Sequence, residues 1–168
     1  MYQVNDRVIY GTHGVCVITA IGRLSMSDVN RKRQYYTLCP LYQKDAVIYV
    51  PVDNVRIPMR PVLTKEETDH LMEEIPQMET IRISNERERE SQYKEAVQSG
   101  DCHCLVRIIK TLYRRRQLRE EDGKKAAAVD ERYFHQAEDL LYGELACVLG
   151  LEREEVVPYI SSHIHQNS

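Results

Sequence analysis

Three short stretches place histidine where its ring could bind a metal or move a proton. His13 sits in "GTHG", Gly11 to Gly14; His103 stands between two cysteines in "DCHC", Asp101 to Cys104; His163 and His165 make "HIH" near the C-terminus. A metal centre needs converging ligands, and structural zinc sites space paired ligands by two to four residues and add a second pair. His13 has Cys16 three residues on but no second ligand pair nearby. Its two flanking glycines suit a tight turn between strands, because glycine tolerates positive φ. Cys102 and Cys104 are two apart, so on a helix they point to nearly opposite sides, which suits small helical residues with buried thiols better than a ligand pair. The C-terminal histidines read as a frayed polar tail. The glutamates of "EREE", Glu152, Glu154 and Glu155, read as a solvated first helical turn, favoured there by the helix dipole, rather than as an acid–base pair. The seven glycines are scattered and form neither GxxxxGK[ST] nor GxGxxG, so no phosphate cradle is predicted. Catalysis, a metal centre and a cofactor are all unexpected.

Bulk properties bound the answer further. A chain of 168 residues, 42% hydrophobic, can fold into one or two small domains. No run approaches eighteen apolar residues, and no charged segment followed by an apolar core opens the chain. Five cysteines, an odd number, fit a reducing compartment, so a cytoplasmic protein is expected. Charge is unevenly divided. Residues 1–63 carry 8 Lys+Arg against 4 Asp+Glu, a net of +4, and residues 64–168 carry 15 against 22, a net of -7. Different partners for the two halves are the natural inference.

The elements that must position these residues also change character along the chain. Val4 to Tyr10, Val15 to Ile21, Tyr35 to Leu41 and Ala46 to Val50 are rich in Val, Ile, Tyr and Thr and read as strands. Gly11 and Gly14, Gly22 with the polar stretch 25–32, and Gln43-Lys44-Asp45 punctuate them. A fifth strand is predicted across 52–57. Both alternating faces of Val15–Ile21 are apolar or small, which predicts a strand covered on both sides. Strands this short favour a small curled barrel. "IPMRP", with two prolines, reads as a stiff junction. Beyond it the period becomes helical. Thr64 and Glu67 make a capping box, and Pro76 interrupts the helix that follows. A second helix is predicted from Ser84 or Asn85 to Ser99-Gly100. A third, capped by Asp101, carries Leu105, Ile108, Ile109 and Leu112 and ends at Gly123. A fourth runs from Val129 to Leu149 with Gly150 after it, and a fifth from Glu152 to Ile164 carries Pro158. The prediction is an α+β chain: a barrel over 1–60, then an all-helical domain over 61–168.

Basic residues gather in that helical half. "YRRRQLR" supplies Arg114, Arg115, Arg116 and Arg119; three successive arginines cannot share a helix face, so at least one should project outward. "NERERESQYK" alternates Arg87 and Arg89 with Glu86, Glu88 and Glu90 and reads first as a solvated helix start. Lys124 and Lys125 follow Gly123 in a predicted loop. Together these could touch a phosphate backbone, weakly given the acidic surroundings.

"VNDRVIYGTHGVCVITAI", "YYTLCPLYQKDAVIYVPVDNV", "SGD", "TLYRRRQ" and "LLYGELA", in this order, closely resemble the CarD-like family of bacterial transcription regulators over nearly the whole chain. The barrel half alone also resembles the RNA-polymerase-interacting domain of transcription-repair coupling factor. The resemblance implies a Tudor/SH3-like barrel that docks on the RNA polymerase β subunit. It also implies a helical domain that reaches promoter DNA at the upstream edge of the bubble and stabilises the open complex, with no chemistry of its own. It assigns Val47, Ile48, Tyr49 and Val50 to the strand that docks on the polymerase by strand addition, and Arg23 to a neighbouring basic contact. On the DNA side it assigns Arg89 and Arg115, with Arg87 and Arg114 beside them, Asn85 near the start of the second helix, and Lys124 and Lys125 in a loop longer than in relatives.

Three positions depart from the family pattern. Proline usually stands where this chain has Gly11, and arginine often stands where it has Tyr49. Many relatives carry a tryptophan wedge at about Asn85 or Glu86, and this chain contains no tryptophan. Tyr93, which pairs at helical spacing with Ala96 and Val97, reads as core and not as a substitute wedge. Without the wedge, contact with melted DNA would rest on phosphates. An adaptor that docks on polymerase and binds protein through its helices is therefore the alternative.

Overall fold

The computed structural model describes residues 1–26, 30–54 and 56–166. It is of the α+β class, a five-stranded antiparallel sheet followed by a helical region, and the chain divides into two compact units, Met1–Val62 and Leu63–Ser168.

The first unit contains β1 (Arg7–Tyr10), β2 (Val15–Gly22), β3 (Tyr35–Pro40), β4 (Ile48–Pro51) and β5 (Met59–Pro61), paired in the order β4-β3-β2-β1-β5. Its core takes one face of the sheet: Val8, Tyr10, Cys16, Ile18, Tyr36, Leu38 and Val50, spaced by two along their strands. A bulge keeps that alternation in phase. Ile18 faces Leu38 and Ala20 faces Thr37, so Thr19 is the extra residue, and Ile21 comes to lie opposite Tyr36 and packs against the core. The expectation of a strand covered on both sides holds only at the start of β2, where Val15 and Cys16 are both buried; Thr19 and Ala20 are exposed.

Two further expectations change. The first strand begins at Arg7 rather than Val4, because Asn5 adopts φ 77° and Asp6 closes a turn onto Gln3. The fifth strand is not 52–57, of which Val55 lies outside the described residues; "IPMRP" supplies it instead. Met59, Arg60 and Pro61 pair with Tyr10, Ile9 and Val8. Proline is tolerated there because β5 is an edge strand. The presumed junction is thus part of the sheet.

Between β1 and β2, Gly11–His13 form a single 3-10 turn. The Gly11 N–H donates to the Pro58 carbonyl at 3.0 Å, and the glycine sits at φ +49°, with its missing Cβ only 2.6 Å from Ile57 Cγ2. His13 is exposed and stacks on the Tyr10 ring, centroids 5.5 Å apart. It is a turn residue.

The second unit contains α1 (Lys65–Glu74), α2 (Arg89–Gln98), α3 (Cys102–Glu121), α4 (Ala128–Leu149) and α5 (Arg153–Gln166). The capping box of Thr64 and Glu67 forms at the start of α1, Asp101 caps α3, and Gly150 ends α4 in the left-handed conformation that glycine favours. Leu71, Met72, Tyr93, Leu105, Ile108, Leu112, Leu145 and Val156 are among the residues of its core, so all five helices contribute. The segment between α1 and α2 is tied down by α3. Lys110 donates its ammonium to the carbonyls of Ile75 and Met78, Thr111 accepts the Ile81 N–H at 2.8 Å, and Arg107 reaches the Glu79 carbonyl. Cys102 is buried and its thiol donates to the buried Glu144, which also accepts the Leu63 N–H at 2.9 Å. The C-terminal histidines correct the expected frayed tail: His163 lies within α5 and stacks on Tyr159, while His165 lies outside the described side chains. Among the described residues no group of three or more His, Cys, Asp or Glu could hold a metal ion, and no helix is long and apolar enough to cross a membrane.

Candidate interaction surfaces

Two surfaces, one on each unit, hold the residues singled out from the sequence. The first is the β4 edge. Among the described residues β4 pairs with β3 alone, through Tyr35, Tyr36, Thr37 and Leu38, so its other side presents backbone N–H and C=O groups without a strand partner there. Val50 is fully buried and Ile48 packs against the core, whereas Tyr49 points to the opposite face and is 41% exposed. Val47, in the approach to the strand, is exposed as well. The four residues therefore divide by face: Ile48 and Val50 fix the strand, and Val47 and Tyr49 are available to a partner. Leu41 and Tyr42, just after β3, add exposed apolar surface that sequence reasoning missed because they continue an apolar run. Arg23 is exposed one residue beyond β2. Gly22 pairs with Tyr35 and Tyr35 with Pro51, so Arg23 lies at the Pro51 end of the sheet, two strands from β4. There Arg33 and Asp53 form an exposed ion pair, which holds the Asp53 carboxyl below the usual aspartate range.

The second surface is where the start of α2, the end of α3 and the start of α4 converge. The arginines assigned to DNA are not equivalent in it. Arg89 is held on both sides. Its Nε donates to Glu86 at 2.8 Å, a second nitrogen reaches the other carboxylate oxygen, and Nη1 donates to the hydroxyl of the fully buried Tyr93 at 2.8 Å. Arg115 donates to the buried Asp130 at 2.6 Å. Arg116 pairs with Glu131 and stacks on Phe134, and Arg132 pairs with Glu90, which also accepts from Tyr133. The expectation that "NERERESQYK" is a solvated helix start is corrected in part: Glu86, Arg87, Glu88 and Glu90 are exposed, but Glu86 pairs with the half-buried Arg89 and Glu90 with Arg132. Hydrogen bonds from Arg89 hold the Glu86 carboxyl below the usual glutamate range, with the field of Arg115 acting in the same direction. Glu86, in turn, keeps Arg89 more firmly protonated than a free arginine.

Asn85 spends its side chain on a cap, accepting the Arg87 N–H at 3.0 Å in the short 3-10 turn before α2. Arg87, Arg114, Lys124 and Lys125 are exposed. The loop that carries both lysines is braced by Arg119, whose Nε donates to the Lys125 carbonyl and whose own carbonyl accepts the Lys124 N–H, both at 2.8 Å. The structure thus brings Arg89 and Arg115 to one place around Glu86 and leaves Arg87, Arg114 and the two lysines facing solvent. Tyr93 is core, as its spacing predicts.

Comparison with known proteins covers both units. The CarD-like/TRCF RID domain profile matches residues 2–63, and the CarD C-terminal domain profile matches residues 70–161. The candidate transcription factor YdeB of Bacillus subtilis is 20% identical over 157 residues, spanning 93% of this chain and 97% of its own. A sheet unit with an open strand edge, a helical unit with an arginine cluster, and a domain match on each agree: the chain belongs to the CarD-like family of transcription regulators.

Proposed function

We propose that this protein docks on the RNA polymerase β subunit through the β4 edge and modulates the promoter open complex through its helical unit. The observation that carries the reading is the free edge of β4, with Val47 and Tyr49 outward and Ile48 and Val50 anchored in the core. Strand addition takes affinity from main-chain hydrogen bonds and specificity from alternate side chains. The edge offers both. Tyr49 replaces the arginine usual in relatives, so an apolar or aromatic contact takes the place of an ion pair at that position, and Arg23 supplies the nearby charge.

At the DNA end, Arg87, Arg114, Lys124 and Lys125 contact phosphates near the upstream edge of the bubble, with Arg89 and Arg115 behind them. Phosphate contacts position a protein without reading sequence. They suffice once docking on polymerase raises the effective concentration of the helical unit at the promoter. No catalytic step, cofactor or metal is involved. The deciding experiment is open-complex lifetime under heparin challenge, with cognate polymerase, with and without the protein. A longer lifetime supports the reading; an unchanged lifetime with polymerase binding intact leaves the adaptor alternative.

That alternative has its own support in the pairing of Arg89 and Arg115 with carboxylates. Ala substitutions at Arg87 and Arg114 separate the two. Only the DNA reading predicts loss of the promoter effect while polymerase binding is retained.

A further inference from the structure

Arg89 presents an oxyanion seat whose occupant belongs to the protein itself. Its guanidinium grips both oxygens of Glu86, a two-pronged geometry that arginine uses equally for carboxylate and phosphate. The two partners differ sharply in exposure: the Arg89 side chain is 17% exposed, the Glu86 side chain 72%. Arg89 is also fixed from behind by the buried Tyr93 hydroxyl, so the guanidinium keeps its place when the carboxylate leaves. Glu86 has no such anchor. It lies in the short 3-10 turn before α2, with its side chain largely in water.

We propose that Glu86 is an internal stand-in for a DNA phosphate: it fills the Arg89 seat in the free protein and is displaced when a phosphodiester of the promoter arrives. This rests on the reading of the helical unit as DNA-facing. The exchange makes and breaks only hydrogen bonds and ion contacts. The acidic side chain weakens binding to DNA at large, because any phosphate must first outcompete a carboxylate tethered three residues away. It matters less on the polymerase, where the promoter is held close by.

The test measures binding of the full-length protein to a short fluorescent DNA duplex at low salt by anisotropy. Glu86→Gln removes the occupant, and Glu88→Gln removes the same charge two residues away at an exposed position. The seat predicts about fivefold tighter binding for Glu86→Gln against about twofold or less for Glu88→Gln. It further predicts that the excess disappears when Arg89→Gln is added. Arg89→Lys, which keeps the charge and loses the fork, removes the excess as well and serves should Arg89→Gln disturb packing around Tyr93. A Glu86→Gln gain no larger than that of Glu88→Gln, or one that survives loss of the Arg89 fork, overturns the seat. If Arg89→Gln still weakens binding in that case, the DNA reading stands without it. If no variant binds the duplex and none alters open-complex lifetime on polymerase, the seat and the DNA reading fall together.

Discussion

Gly11 is where one residue type is most tightly dictated. At φ +49° with Ile57 Cγ2 2.6 Å from the Cβ position, alanine meets both strain and a clash. Gly11→Ala should destabilise the sheet unit by about 1–3 kcal/mol in urea unfolding. Gly11→Pro, the usual family residue, should cost about 3 kcal/mol or more, since it fixes φ near -65° and deletes the N–H that bonds Pro58. In the helical unit, Lys110→Met should cost about 1.5–3 kcal/mol, because the carbonyls of Ile75 and Met78 lose a charged donor. The ammonium is partly buried between those carbonyls, and that burial pushes the Lys110 pKa down. Residue-scale roles of this kind were only partly legible in the sequence. The capping box, the Asp101 cap and the core place of Tyr93 follow from local spacing. The Arg115–Asp130 and Arg132–Glu90 pairs span 15 and 42 residues, and no periodicity reveals which charges the fold will bring together.

Among the elements, β4 carries the sharpest prediction. Tyr49→Asp places a charge on the outward face of the edge without touching Ile48 or Val50. It should weaken binding to the polymerase β subunit by about tenfold or more while leaving the thermal unfolding midpoint nearly unchanged. Undiminished binding, measured by calorimetry with purified polymerase, would move the docking site elsewhere. The helices were foreseen from their apolar spacing, with ends set by Gly and capping residues. The strands were harder. The segment 52–57 looks apolar enough to pair, yet β1 takes its second partner from Met59–Pro61, its proline notwithstanding. Edge position makes that permissible, and edge position is a property of the assembled sheet. The bulge at Thr19 is invisible for the same reason: it exists only relative to the register of β3.

For the whole molecule, the division of charge makes the proposed order of binding testable. A helical half of net -7 with its central arginines paired should show little mobility shift with promoter DNA alone and a clear ternary complex with polymerase. The effect on the open complex should also fall more steeply with salt than that of a tryptophan-bearing relative, as expected of phosphate contacts without an inserted wedge. Buried thiols report on each unit separately. Burial pushes the Cys16 pKa up to about 12, so alkylation there at pH 8.5 should require the sheet to open, while Cys102 labels only when the helical core does. One place in the chain governs how such units can be handled apart. The Val62 N–H donates back to the Arg7 carbonyl, and the very next N–H, that of Leu63, donates to Glu144. Adjacent peptide groups therefore serve as the last stitch of one unit and the first of the other. A sheet fragment cut before Val62 loses its final ladder bond, and a helical fragment begun after Leu63 takes a donor from a buried carboxylate. The seam is one peptide bond wide, and a boundary misplaced by a single residue would make a sound unit look unstable.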